Sequence, residues 1–174
     1  MIFIYILIAF FAVLLVLNFI APNQYEVNRK IVINRPVNEV YDYLKFIRNQ
    51  DEWSPWKKKD PDMKQEQEGI DGEIGFIVKW FGNKEVGEGE QEIKHLAENE
   101  SILTELRFIK PWKSQSDGYF KMEEREDGQT KLTWGFAGRN KFPFHIMMIF
   151  FNMEKAVGKD FDEGLASLKQ ILEN

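Results

Sequence analysis

The chain has 174 residues, 44% hydrophobic and 14% aromatic with 15 Phe and 5 Trp, enough for one cored domain plus an appendage. A net charge of -5 at pH 7 argues against nucleic acid as a partner, because neutralising a phosphate backbone needs a basic surface. The absence of Cys excludes disulfides, a thiol nucleophile and a thiolate metal site.

Residues Ile2 to Ile20 are apolar except for Asn18, and the first charged side chain is Glu26. At 1.5 Å per helical residue this run spans about 29 Å, which matches a hydrocarbon core of about 30 Å. The spacing predicts one transmembrane helix over residues 1–21 and a folded domain over residues 22–174. A secretory signal would carry a basic n-region and an A-x-A site, and neither is present. A buried core helix would show a polar face. Arg29, Lys30 and Arg35 follow the span and no basic side chain precedes it, which places the domain on the cytoplasmic side of the membrane. Pro22-Asn23 breaks the helix. At up to about 3.5 Å per extended residue, the linker reaches only about 15 Å.

Tyr25 to Ile33 reads as a strand, with Tyr25, Val27, Ile31 and Ile33 on one parity. Pro36 suits a first helical position, and Val37, Val40, Tyr41 and Leu44 form a short amphipathic helix that Phe46 and Ile47 extend. Trp53 and Trp56 flank Ser54-Pro55, which rules out a regular helix there, and the two indoles are expected to plug one end of the core. Lys57, Lys58 and Lys59 read as a solvated loop, or as a contact with anionic headgroups.

Turn signals then recur at Gly69, Gly72, Gly82-Asn83, Glu98-Asn99, Lys110-Pro111 and Asp127-Gly128, which is the spacing of an antiparallel meander. Ile74, Phe76, Val78 and Trp80 share one strand face, and Val86 to Leu96 is a more polar strand. Ile102, Thr104, Leu106 and Phe108 alternate with Glu105 and Arg107. Phe120 and Met122, then Leu132, Trp134 and Phe136, give two more aromatic-rich faces. The last third brings Phe150, Met153, Val157, Phe161, Leu165, Leu168 and Leu172 at steps of three and four. This predicts a helix of roughly 25 residues, about 38 Å long, that must bury its stripe on the strands. Phe142 to Met153 reads as the buried start of that helix; the alternative is a lid at a cavity mouth facing the membrane, with Met147, Met148 and Met153 as adaptable packing. Helices gathered on one face of an antiparallel sheet make an α+β domain.

The chemistry on offer is sparse. His95 and His145 are far apart with no H-E-x-x-H, and no Ser lies in G-x-S-x-G. Gly87 to Glu92 lacks the third glycine of a phosphate loop and carries three acids, and Glu88, Glu90 and Glu92 read as a solvated strand face. His145 reads as a polar residue tolerated near a helix start. No catalytic residue, cofactor site or metal site is expected.

Three segments resemble a family. Asn34 to Leu44 (NRPVNEVYDYL) looks like the opening strand-to-helix segment of the polyketide cyclase/dehydrase-like branch of the START-like (SRPBCC) superfamily. Asp51 to Trp56 is similar to that branch's tryptophan pair, and Lys159 to Leu165, followed by Leu168-Lys169, to its closing helix. The resemblance runs from about Tyr25 to Leu172 and does not account for residues 1–21. It implies a helix-grip fold, a curved antiparallel sheet around a long C-terminal helix, with a hydrophobic cavity for lipids, sterols, polyketides or other apolar molecules. It carries no catalytic residue across.

The resulting expectation is a membrane-anchored binding module for a hydrophobic small molecule or lipid. The expected walls are Trp53, Trp56, Phe76, Val78, Trp80, Leu106, Phe108, Phe120, Met122, Trp134, Phe136, Met153 and Val157. One alternative is a partner-binding or stress-response protein without a ligand. The other is a cyclase, dehydratase or hydrolase, with Thr104, Glu90 and His145 as inward-pointing polar groups.

Overall fold

The computed structural model describes residues 2–174. Helix α1 (Ile2–Ile20) buries none of its side chains, so it is not a core helix. Its mean hydropathy reaches 2.9, and it is long and apolar enough to cross a membrane, a test of length and composition that a signal sequence also passes.

The chain turns at Ala21 into β1 (Gln24–Ile33), α2 (Val37–Leu44), a 3-10 turn (Ile47–Asn49), α3 (Gln50–Trp53) and α4 (Pro55–Lys59). Six strands follow: β2 (Lys64–Glu68), β3 (Ile77–Phe81), β4 (Glu88–Ala97), β5 (Ser101–Lys110), β6 (Ser114–Glu124) and β7 (Thr130–Arg139). A 3-10 segment (Phe144–Ile149) leads to α5 (Met153–Glu173). The sheet order is β1-β7-β6-β5-β4-β3-β2, with every neighbouring pair antiparallel. The fold is α+β: a curved seven-stranded sheet gripping a long C-terminal helix. Register shifts in β4 at Glu88/Gly89 and Ile93/His95 bend the sheet.

Strand parity sets the two faces. Val27, Leu132, Trp134, Phe136, Phe120, Met122 and Ile102 turn inward and form the main core with Trp53, Phe161, Leu165 and Leu168. The amphipathic α2 buries Val37, Val40, Tyr41 and Leu44 in the same core. Helix α5 lies mainly across β1, with α3 and α4 packed beside it. Gly164 permits a close approach of α5 to the sheet, since a Cβ there would stand 2.7 Å from the Trp134 ring.

Four details differ from the sequence reading. Helix α5 starts at Met153, because the Asn152 side chain accepts a hydrogen bond from the Lys155 N–H (3.0 Å) and caps it. Phe150 is therefore off the helix, and it is 81% exposed. Lys57 to Lys59 are not a loop: they belong to α4, where Lys59 pairs with Asp160 (2.7 Å) and Lys58 donates to Ser167 Oγ (2.8 Å) on α5. Ile74 precedes β3 and is exposed, while Phe76 heads a second small core with Ile47, Val78 and Ile93. The polar segment Lys64–Glu68 is an edge strand that the sequence reading left without structure; its partner β3 supplies the hydrogen bonds, and its charges suit an edge.

Candidate functional site

Helix α5 lies chiefly on the β1 side of the concave face and less on the inner surface of β3, β4 and β5. The short helices α3 and α4 close over that side and leave a hollow of about 210 Å³. Its wall is aromatic. Trp134 is the hub, with ring centroids 4.1 Å from Phe161, 4.9 Å from Trp53, 5.7 Å from Trp56 and 5.9 Å from Phe120. Trp80 meets Phe108 edge-on at 5.8 Å on the opposite wall. Edge-to-face and offset pairs of this kind add about 0.5–1.5 kcal/mol each beyond the area they bury, which favours a wall of fixed shape.

Of the expected wall residues, Trp56, Val78, Trp80, Leu106, Phe108, Phe120, Trp134, Phe136 and Val157 line the hollow. Trp53, Phe76, Met122 and Met153 do not. The first three are at most 5% exposed and packed in the cores, and Met153 packs on the main core's margin. Phe161, Met63 and Val86 line it as well.

Thr104 lines the hollow as the sequence reading expects of an inward-pointing group, whereas Gln91 is a polar lining residue that the reading missed. Gln91 points inward between Val78 and Leu106, and its Nε2 donates to Thr104 Oγ1 at 3.3 Å. The signal was available, since the parity that turns Glu90 and Glu92 outward turns Gln91 inward. At the rim, Gln65 Nε2 donates to Asp51 Oδ1 (2.9 Å), joining β2 to α3 over the opening. Asp71 fixes the whole rim. Its side chain is 1% exposed and accepts the backbone N–H of Ile47 (2.8 Å), the N–H of Arg48 (3.2 Å) and Arg48 Nε (2.8 Å). It thereby holds the segment that brings Ile47, Arg48, Gln50 and Asp51 to the hollow.

Titratable groups gather on the convex face instead. Arg107 joins Glu90 (2.5 Å), Glu92 (2.7 Å) and Glu105. Burial works against the Arg107 charge, yet the hydrogen-bonded carboxylates Glu92, Glu90 and Glu105 outweigh it and hold its pKa above the ordinary value. The hydrogen bonds from Arg107 and Lys94 hold Glu92 below the usual carboxylate range. Tyr119 donates to Glu26 on the same face, and burial together with that carboxylate pushes its hydroxyl up to about 12.

The three polar groups considered for catalysis do not meet. Thr104 lies in the hollow, and Glu90 is on the far side of the sheet with Arg107. His145 is buried against α1, with Nε2 3.3 Å from the Asn18 carbonyl oxygen and Nδ1 without a partner. Among the described residues, no group of three His, Asp or Glu side chains is placed to hold a metal ion.

No family model matches the chain, and no curated protein matches it. Solved structures do. The Aha1 dimer from Colwellia psychrerythraea is similar at 17% identity and a TM-score of 0.60, over 86% of this chain and 96% of that one. The Zhui aromatase/cyclase from Streptomyces sp. R1128 is similar at 13% identity and TM-score 0.60, over 86% and 94%. The major latex-like protein 151 from Panax ginseng is similar at 11% identity and TM-score 0.59, over 88% and 100%. These neighbours are polyketide cyclase-like and Bet v1-like folds. At such identities the likeness concerns the fold alone.

Proposed function

We propose that the chain is a membrane-anchored binding module that holds a hydrophobic small molecule, or part of a lipid, in the hollow between β3–β5 and α3–α5. The observation that carries this reading is the hollow itself: an aromatic wall on the side that α5 covers less, with one amide–hydroxyl pair, Gln91 and Thr104, inside. A site built for an apolar ligand with one polar handle has this composition. Its size limits the occupant. About 210 Å³ is roughly seven water volumes at about 30 Å³ each, and lies below the 300–1,000 Å³ usual for drug-sized ligands. A hollow of this size suits a compact ring system or the end of an acyl chain.

Residues 1–21 serve as the anchor and residues 22–174 as the binding domain. Arg29, Lys30 and Arg35 beside the span support a cytoplasmic position for the domain. A cyclase-type reading draws support from the name of one fold neighbour, but Thr104, Glu90 and His145 are dispersed over different faces.

The test is to express residues 24–174, which contain both cores, extract the purified protein with solvent and examine the extract by mass spectrometry. One apolar compound near one per chain supports the reading. An empty extract, repeated after incubation with membrane lipids, refutes it and favours a partner-binding role without a ligand.

A further inference from the structure

The sheet has two unlike ends. The register brings the start of β1, the end of β7, the β5–β6 turn and the end of β3 to one edge, the edge at which α1 joins the domain. Among the described residues outside α1, all but three of the exposed large apolar side chains gather there; the exceptions are Ile70, Ile74 and Leu103. Phe150 is 81% exposed and Trp112 is 71% exposed, and Phe142, Phe144, Met147 and Phe151, on the same segment as Phe150, are exposed as well. An exposed apolar cluster on this scale marks an interaction surface.

Two observations say what covers it. The segment Phe142–Phe151 is fastened to the end of α1, since buried His145 places Nε2 3.3 Å from the Asn18 carbonyl oxygen. The patch therefore adjoins α1, whose own apolar side chains are unburied. Lys113, Arg139 and Lys141 border it, as expected where a surface meets anionic headgroups. Trp, with its amphipathic ring, is enriched where protein meets the membrane–water interface.

We propose that this end of the domain is seated in the bilayer, with Phe150, Phe144 and Trp112 immersed below the headgroups beside α1. The proposal rests on the reading of α1 as a membrane span. The domain then does not swing on its linker but sits flush, with its hollow at a fixed height. Val157 and Phe108, which line the hollow, respectively follow Phe150 and precede Trp112 by only a few residues in the chain.

The chain has no Cys, so single labels are unambiguous. The full chain carrying Phe150→Cys, Trp112→Cys, Ile70→Cys or Leu7→Cys, each labelled with the environment-sensitive dye NBD, is reconstituted into phosphatidylcholine vesicles with a minority of phosphatidylglycerol. All four positions are exposed, so the fold tolerates the label. Quenching is read with acyl-chain brominated lipid and with aqueous iodide. The expected result is severalfold stronger bromolipid quenching at 150 and 112 than at 70, approaching that at 7. Strong quenching at 7 with 150 and 112 no different from 70 overturns the proposal and leaves the anchor standing. Labels at 150 and 112 shielded from both quenchers overturn it in favour of a protein contact. Absence of quenching at 7 removes the anchor reading, and the proposal with it.

Discussion

Replacing Asp71 with Ala is the sharpest test of how the hollow is built. The carboxylate is almost fully enclosed and accepts the backbone N–H groups of Ile47 and Arg48 as well as Arg48 Nε. Removing it leaves the buried Ile47 N–H without a partner, at about 1–3 kcal/mol, and the half-buried Arg48 N–H at about 1 kcal/mol. The Arg48 side chain is 61% exposed and returns to water, so the loss of its ion pair costs only about 0–1 kcal/mol. The sum is about 2–5 kcal/mol, a large share of a domain stability of about 5–15 kcal/mol. Asp71→Asn keeps one acceptor oxygen but turns an NH2 toward the Arg48 donors, so it should cost about half as much. Arg48→Ala should cost under about 1 kcal/mol. The assay is urea unfolding of the full chain in mild detergent, followed by near-ultraviolet circular dichroism of the tryptophans, with midpoints compared at constant slope. The predicted order of destabilisation is Asp71→Ala, then Asp71→Asn, then Arg48→Ala. If Asp71→Ala falls within about 1 kcal/mol of the wild type, or Arg48→Ala matches it, the backbone-capping account of the rim is wrong.

Four further outcomes are expected. Leu106→Trp places an indole in the hollow and should abolish recovery of any co-purifying apolar compound while changing stability by less than about 2 kcal/mol; an unchanged yield of ligand would move the site elsewhere. Gly164→Ala gains about 1 kcal/mol of helix propensity but sets a methyl 2.7 Å from the Trp134 ring, so thermal unfolding should reveal a net loss of about 1–2 kcal/mol. Tyr119 is neutral in the fold up to about 12 and ionises near 10.0 when unfolded, so its stabilisation is present below pH 10 and is lost as pH rises through about 12. Tyr119→Phe should flatten the alkaline fall in unfolding midpoint. Glu92 has a lowered pKa in the fold, so its stabilisation is present above its unfolded pKa and is lost as pH falls through the folded value; Arg107→Met should remove that acid dependence, seen as a shallower midpoint-versus-pH curve below pH 5.

Local pattern carried much of this molecule. The unbroken apolar run of Ile2 to Ile20, the parity of Ile102 to Phe108 and of Leu132 to Phe136, and the stripe from Met153 to Leu172 are each set by neighbours a few residues apart. Periodicity therefore fixed the element type and the buried face. It also supported the α+β expectation, because alternating strands and one long amphipathic helix must cover each other, while the helix-grip arrangement was what the family resemblance implied. The strand Lys64–Glu68 lay beyond its reach, since KQEQE has no apolar alternation and is held by the ladder to β3.

Tertiary structure decided which inward residues pack and which face open space. Trp53 and Trp56 are near neighbours in sequence and similar in chemistry, yet Trp53 is fully buried and Trp56 lines the hollow. Phe120 and Met122 share a parity, and only Phe120 reaches the hollow. Parity determines the face of a sheet but not the lateral position on it, and that position matters because α5 lies chiefly on the side of β1 and less on β3–β5. The Asp71 clamp and the convergence of three carboxylates on Arg107 join residues distant along the chain or on neighbouring strands. Such contacts depend on register and chain crossing, which arise only when the whole sheet has closed around its helix.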